Sequence, residues 1–193
     1  MSKKLRLLLI IAVPLLLLGA YNAYDRLRLS YHDVARHGED ISVYVAFGEL
    51  STNRRFIIYD NKSGKILSAS KCAHGSGGGS TAFKPVFSNS PGSNCSSLGE
   101  YRLTEVSKLY NCGIRCIRLQ GLSASNSNAA ARGITIHEAP FLGDGISVGI
   151  PIPALPVISQ GCFGISTEAF ELLSDKLKSG ATIYLYATDS NLP

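Results

Sequence analysis

Tryptophan is missing altogether, and the chain has no block of lysine or arginine, no aromatic residues interleaved with basic ones, and no internal repeat. Nucleic-acid binding needs a concentrated basic footprint. Here the net charge is only +5, and part of it (Lys3, Lys4, Arg6) lies ahead of an apolar run. Nucleic acid is therefore excluded as a partner. The glycine-rich stretch Gly75–Ser80 has neither the lysine nor the helix context of a phosphate loop, which excludes a nucleotide site. Cys72-x-His74 and Cys112-x₃-Cys116 are not standard zinc-ligand spacings, so no metal is expected. No other cofactor is implied. No cysteine follows the apolar run, which excludes a lipid-anchored lipoprotein.

The N-terminus sets the compartment. Lys3, Lys4 and Arg6 precede the almost wholly apolar Leu7–Ala20, the layout of an export signal. The run is short of the roughly 20 residues of a membrane span, yet Tyr21 and Tyr24 suit an interface. Residues 1–24 are accordingly a signal peptide or an uncleaved membrane anchor, and both readings place the domain outside the cytoplasm. Residues 25–40 form a linker in which His32 and His37 are solvated. One domain, 41–193, follows and is expected to be a monomer.

An exported chain tends to pair its cysteines, and five of them leave one over. Cys162 is that residue. Cys72, Cys95, Cys112 and Cys116 allow three pairings, and the sequence does not choose among them.

Frequent Tyr, Gly and Ser and several alternating segments predict a mainly β domain, a sandwich or barrel, with one clear helix after Cys162 and the apolar N-terminal helix. Ile41–Phe47 reads as a strand. Arg55–Tyr59 and Lys65–Ala69 flank a polar turn ending in Gly64 and form a hairpin. Further strands are expected at Glu100–Leu103, Cys116–Leu119 and up to His137, with a helical turn over Asn128–Ala131. Ser166 or Thr167 caps the later helix. Glu168 and Glu171 sit near its positive end, Lys176 and Lys178 in its last turn, and Gly180 stops it. Thr182–Ala187 closes the domain as a strand.

Two residues carry chemistry. Gly133–His137 is a half-buried strand with a histidine at its end, and Ser159–Ser166 places Cys162 beside Gly161 in a loop. A thiol deprotonated by a nearby imidazole is the minimal machinery of acyl transfer. Cys162 is thus the candidate nucleophile and His137 its base, with backbone N–H groups near Gly161 and Cys162 as oxyanion donors. The helix begins too far beyond Cys162 for its dipole to help much. The plainer alternative is a buried structural cysteine. His74, at a strand exit, is either an ordinary loop histidine or a second histidine lining the same cleft.

The residues also resemble a known family. Cys72-Ala73-His74-Gly75, Phe87-Ser88-Asn89, Gly92-Ser93, Ser96–Gly99, Leu119–Leu122, Asn128, Ala131-Arg132, Ile136-His137 and Ser159–Cys162 look like the murein L,D-transpeptidase catalytic domain. They are closest to the YkuD-like branch with a His-Gly loop and a Phe-Ser-Asn segment. The resemblance spans roughly Ile41 to Ala187. It implies a β-rich enzyme of the periplasm or cell envelope, held at the inner membrane where the N-terminal segment is uncleaved, that forms a thioester with a peptidoglycan stem tetrapeptide, releases D-alanine, and passes the acyl group to an amine. Carried over, Cys162 is nucleophile, His137 base, Gly161 the close-approach residue at the oxyanion site, and Ser159 a loop-shaping residue. His74, Gly75, Arg132 and Gln160 line the substrate cleft. The chain departs from the commonest signature at Gln160, where histidine is usual, and at Gly164, where arginine or asparagine is usual. Its apolar insert Glu138–Ile158 also differs. Hydrolysis of the same acyl-enzyme, as a carboxypeptidase or amidase, and an inactive wall-binding module are the alternatives.

Overall fold

The computed structural model describes residues 2–30, 40–81, 83–109, 112–142 and 157–191. Helix α1 spans Lys3–Ser30, with Pro14 inside it. By length and composition it can cross a membrane. At ~1.5 Å per residue it is about 42 Å long. Its apolar residues from Leu5 to Leu17 are largely exposed. The helix continues into the segment expected to be a linker, and His32 and His37 lie outside the described residues.

Alternation of β-branched and aromatic residues decides the strands. In β1 (Ile41–Ala46) and the residue after it, Val43, Val45 and Phe47 enter the main core. Tyr44 and Ala46 join Ile57 in a smaller cluster on the reverse face. The expected hairpin is β2 (Phe56–Asp60) and β3 (Lys65–Ser70). Its turn is set by Asp60 Oδ1, which accepts the N–H groups of Lys62 at 2.9 Å and Ser63 at 3.2 Å. Such a carboxylate cap mimics a backbone turn.

The remaining strands are β4 (Cys72–Gly75), β5 (Gly99–Lys108), β6 (Arg115–Gly121), β7 (Thr135–Glu138), β8 (Val157–Ser159), β9 (Phe163–Ile165) and β10 (Ile183–Thr188). Together they form one ten-stranded mixed sheet in the order β3-β2-β1-β10-β5-β6-β7-β9-β4-β8. The pairs β1/β10, β7/β9 and β4/β8 are parallel. The first strand of that order and the last-but-one, β3 and β4, are separated in sequence only by Lys71. The sheet must therefore curl until its two ends meet, giving a nearly closed barrel. Arg55 clamps the seam: its Nε and Nη2 donate to Cys72 O at 3.0 and 2.6 Å, and its backbone N–H donates to Ser70 O at 3.0 Å.

Helix α2 (Thr167–Lys178) starts where expected: Ser166 is its N-cap, accepting Ala169 N–H at 3.2 Å. Phe170 and Leu173 are fully buried in the core, each worth ~1.5–3 kcal/mol of burial. The mainly β architecture with a helix after Cys162 is as the pattern implied. Three details differ. The His74 stretch is a strand, the Glu100–Leu103 strand runs on to Lys108, and the segments flanking Cys162 are short strands. Three residues are too few for a period-two signal.

Candidate active site

The site is built where β7 and β9 run side by side. Their register pairs Ile136 with Phe163 and His137 with Gly164, while β6 places Cys116 across from His137. Ile136 and Phe163 point into the core. Alternation then puts Thr135, His137, Cys162 and Gly164 together on the opposite face. Thr135 is the direct neighbour of Cys162, and its Oγ1 donates to Cys162 Sγ at 3.5 Å. The thiol itself reaches Gly133 O at 3.7 Å.

His137 is one strand repeat further along, a diagonal neighbour of Cys162. Its Nδ1 lies 3.1 Å from Glu138 O. A carbonyl oxygen only accepts, so Nδ1 carries a proton, and in the neutral ring the lone pair is left on Nε2. Gly164 makes room for this ring. A Cβ there would sit 3.1 Å from His137 Cε1, 3.1 Å from Ala73 Cβ and 3.4 Å from Ala139 Cβ. The departure from the usual signature at this position is thus matched by a ring packed directly over the glycine.

The Cys162 loop is tied down at Ser159, Gly161 and Cys162. Ser159 Oγ donates to Cys162 O at 2.7 Å and accepts Gly161 N–H at 3.3 Å. Ser96 Oγ accepts Gly75 N–H at 3.0 Å and donates to Gly161 O at 3.1 Å. Ser76 N–H donates to Ser159 O at 3.0 Å. Gly161 has φ +110°, and a Cβ would meet Cys95 O at 2.6 Å and Ile134 Cδ1 at 2.7 Å. Only glycine fits that conformation and that space. Its amide N–H is engaged by Ser159 Oγ.

A cavity of about 710 Å³ opens over the thiol. Cys162, His137, Ser159, Gln160 and Arg132 all line it. Gly161, His74 and Gly75 are buried behind it. Arg132 has most of its guanidinium committed to the opposite wall. Nη1 donates to Ser88 O at 2.8 Å and Ser97 Oγ at 2.6 Å, and Nη2 to Ser93 Oγ at 3.2 Å and to Cys95 O. Asn89 docks the same wall by accepting Asn128 N–H at 3.1 Å and donating to Ala124 O at 3.1 Å.

His74 is wholly buried. Arg55 Nη2 lies 2.8 Å from its Nδ1, and its Nε2 is 3.2 Å from Thr81 O. The arginine must donate and the carbonyl must accept, so the imidazole is neutral with its proton on Nε2. Burial, then the Arg55 charge, lowers its pKa to about 4 against the weaker pull of Thr81 O. Burial likewise lowers Arg55 to about 10. The pair sits behind the site and holds β4, whose neighbour β8 carries Ser159.

All five cysteines are free thiols. Cys72 is buried in the core, its pKa raised to about 12 by desolvation. Cys116 is buried, and desolvation raises it too. Cys112 is exposed and lines the same cavity as Cys162. Among the described residues no group of three or more His, Cys, Asp or Glu is placed to hold a metal ion.

The sequence reading gave no role to Thr135, Ser96 or Arg55. Thr135 was within reach, because two residues before His137 on a strand means the same face. Ser96 and Arg55 act through tertiary contacts that no local pattern encodes.

The family model for the L,D-transpeptidase catalytic domain matches residues 20–186. No curated protein matches the chain. Among solved structures it is similar to an L,D-transpeptidase from Xylanimonas cellulosilytica, with 14% identity and TM-score 0.47, covering 84% of this chain and 67% of that one. It is similar to the helical cell shape determining protein from Campylobacter jejuni, with 13% identity and TM-score 0.48, covering 88% of this chain and 56% of that one. An L,D-transpeptidase from Mycobacterium tuberculosis gives 12% identity and TM-score 0.45, covering 78% and 58%. The chain spans about half to two thirds of the length of these structures.

Proposed function

The chain belongs to the L,D-transpeptidase catalytic domain family, and we propose that it is an exported acyltransferase that remodels peptidoglycan through a thioester on Cys162. The observation that carries this reading is the pair of half-buried residues Cys162 and His137 on one face of β7 and β9, beside the cavity of about 710 Å³. Such a cavity suits an extended stem peptide.

His137, with its proton held on Nδ1 by Glu138 O, presents Nε2 to take the thiol proton. The Cys162 sulfur then attacks the carbonyl of the L-to-D bond of a stem tetrapeptide. The tetrahedral intermediate collapses, the bond to the terminal D-alanine breaks, and the His137 proton leaves with its amine. An acceptor amine attacks the thioester, gives its proton to Nε2, and releases the thiol. Fixed backbone dipoles are the economical way to stabilise the two intermediates. Since Gly161 N–H is committed to Ser159 Oγ, Cys162 N–H is the better oxyanion donor. Ser159 shapes the loop, Gln160 and Arg132 face the substrate from the cavity wall, and His74 and Gly75 support that wall from behind.

Residues 1–24 are read as the export signal or anchor, 25–40 as its connection and 41–193 as the catalytic domain. The anchor reading is favoured by the contacts of α1 with the domain. Asp25, buried to 1% exposure, pairs with Arg54 at 2.7 Å, and Tyr21 donates to Asn53 Oδ1 at 2.7 Å.

Incubation of the full chain with purified disaccharide-tetrapeptides, read by mass spectrometry, tests the function. Dimers that have lost one alanine establish transpeptidation. Tripeptide monomers alone assign the acyl-enzyme to water and make the protein a carboxypeptidase. Unchanged substrate would reduce it to a wall-binding module.

A further inference from the structure

We propose that Thr135 is a catalytic residue of this site, its hydroxyl being the hydrogen bond that holds and stabilises the Cys162 thiolate. The inference rests on Cys162 being the nucleophile. The register pairs Ile136 with Phe163 and His137 with Gly164; carried back one residue it sets Thr135 beside Cys162, and the side-chain contact agrees. Thr135 is 4% exposed, so its hydroxyl is largely shielded from water. Its one recorded side-chain partner among the described residues is Cys162 Sγ, at 3.5 Å.

The geometry separates two states of the sulfur. As a thiol, Cys162 accepts from Thr135 and donates weakly toward Gly133 O at 3.7 Å. Once the proton has gone to His137, the contact with Gly133 O places a partial negative charge beside the anion. Thr135 Oγ1 is then a donor already aimed at the anion. A hydrogen bond to the charged form favours that form, and charge-assisted bonds are the stronger kind. The threonine hydroxyl needs no reorientation between the two states. A β-branched side chain has a stiff χ1, so the donor is pre-aimed. Proton transfer to Nε2 and stabilisation of the resulting anion are thus divided between two residues of one strand, His137 and Thr135.

Other charged or titratable groups face this sulfur and set the background against which the hydroxyl acts. They are His137 on β7, Cys116 on β6, Cys112 at the hairpin end, Arg132 on the cavity wall and Tyr101, which senses Cys162 electrostatically. None of them is altered by removing one hydroxyl.

The test is the pH profile of iodoacetamide alkylation at Cys162 in the full chain, read by mass spectrometry on the peptide that carries it. Thr135→Val keeps the branched shape and removes the donor. The midpoint of its profile is expected to move up by about one pH unit, a roughly tenfold slower alkylation near neutral pH. Thr135→Ser is expected to restore the wild-type profile, and Thr135→Ala to behave like Thr135→Val should the valine variant not fold. A purely structural threonine would leave the midpoint in place, so an unchanged profile in Thr135→Val or Thr135→Ala overturns the proposal, as does failure of serine to restore it. No peptidoglycan is used. A Cys162→Ala variant that still turns over muropeptides would sink the acyl-transfer reading separately, whatever the alkylation shows.

Discussion

Replacing Gly164 by alanine adds one methyl group to the face that carries the site. The new Cβ would lie 3.1 Å from both Ala73 Cβ and His137 Cε1, and 3.4 Å from Ala139 Cβ. These contacts are tighter than ordinary van der Waals separation of ~3.5–4.0 Å, so something must yield by a few tenths of an ångström. Ala73 has little room to do so, because its strand β4 is paired with β9 on one side and β8 on the other. The His137 ring is the softer neighbour, since it is only half-buried and pivots about its own χ angles. Overpacking of this kind costs about 1–3 kcal/mol, and a yielding ring puts Gly164→Ala at the low end, about 1 kcal/mol. The effect on turnover is larger than the effect on stability. Swinging the ring displaces Nε2 relative to Cys162 Sγ, and misplacement by about 1 Å costs on the order of 10²-fold. Steady-state release of D-alanine should therefore fall by about 10- to 100-fold in kcat, with KM little changed and a melting temperature within a few degrees of wild type. Asparagine at the same position, which restores the commoner signature, should be at least as damaging here. Wild-type kcat in Gly164→Ala would refute the claim that the ring is seated on this glycine.

The buried Arg55–His74 pair makes stability pH-dependent. His74 has its pKa lowered from 6.5 to about 4, so the unfolded chain binds a proton that the folded chain refuses between those values. Stability is fully present above pH 6.5 and is lost as pH falls toward 4, by up to about 3 kcal/mol; urea melts of wild type and His74→Gln should differ in slope across that window and run parallel above it. Arg132→Lys should fail to support the 88–97 wall, because one ammonium cannot reproduce a fork that reaches Ser88, Ser93, Cys95 and Ser97. Hydrogen exchange in that segment should rise, and a wild-type exchange pattern would deny the arginine its role. Asp25→Ala removes the carboxylate facing buried Arg54 and should cost about 3 kcal/mol, the lower end for breaking a buried ion pair. Thermal melting of the full chain measures it, and an unchanged melting temperature would mean that α1 does not dock.

What the sequence disclosed followed the length and regularity of each segment. The β2/β3 hairpin and helix α2 were legible because each carries its own punctuation, Asp60 with Gly64 in one case and Ser166 with Gly180 in the other. The strands β8 and β9 were not, since their three residues apiece are stabilised by neighbours far away in sequence. Cys162 and His137 were readable as a pair, and the register of β7 on β9 places them on one face. His74 looked like a cleft residue because it follows a strand and precedes glycines. Its burial depends on Arg55, an arginine whose neighbours in the sequence give no hint that it closes the barrel seam. Gln160 and Gly164 looked like departures from a motif. One is an exposed residue of the cavity wall and the other is the seat of the His137 ring.

The central claim is that acyl transfer passes through the Cys162 sulfur. The direct measurement is the intact mass of the full chain after brief exposure to a synthetic stem tetrapeptide with no acceptor amine, followed by peptide mapping. The account predicts an adduct equal to the tetrapeptide minus alanine, located on the peptide bearing Cys162, released by hydroxylamine and absent from Cys162→Ala. D-alanine release by Cys162→Ala at the wild-type rate, or an adduct on another residue, would contradict it.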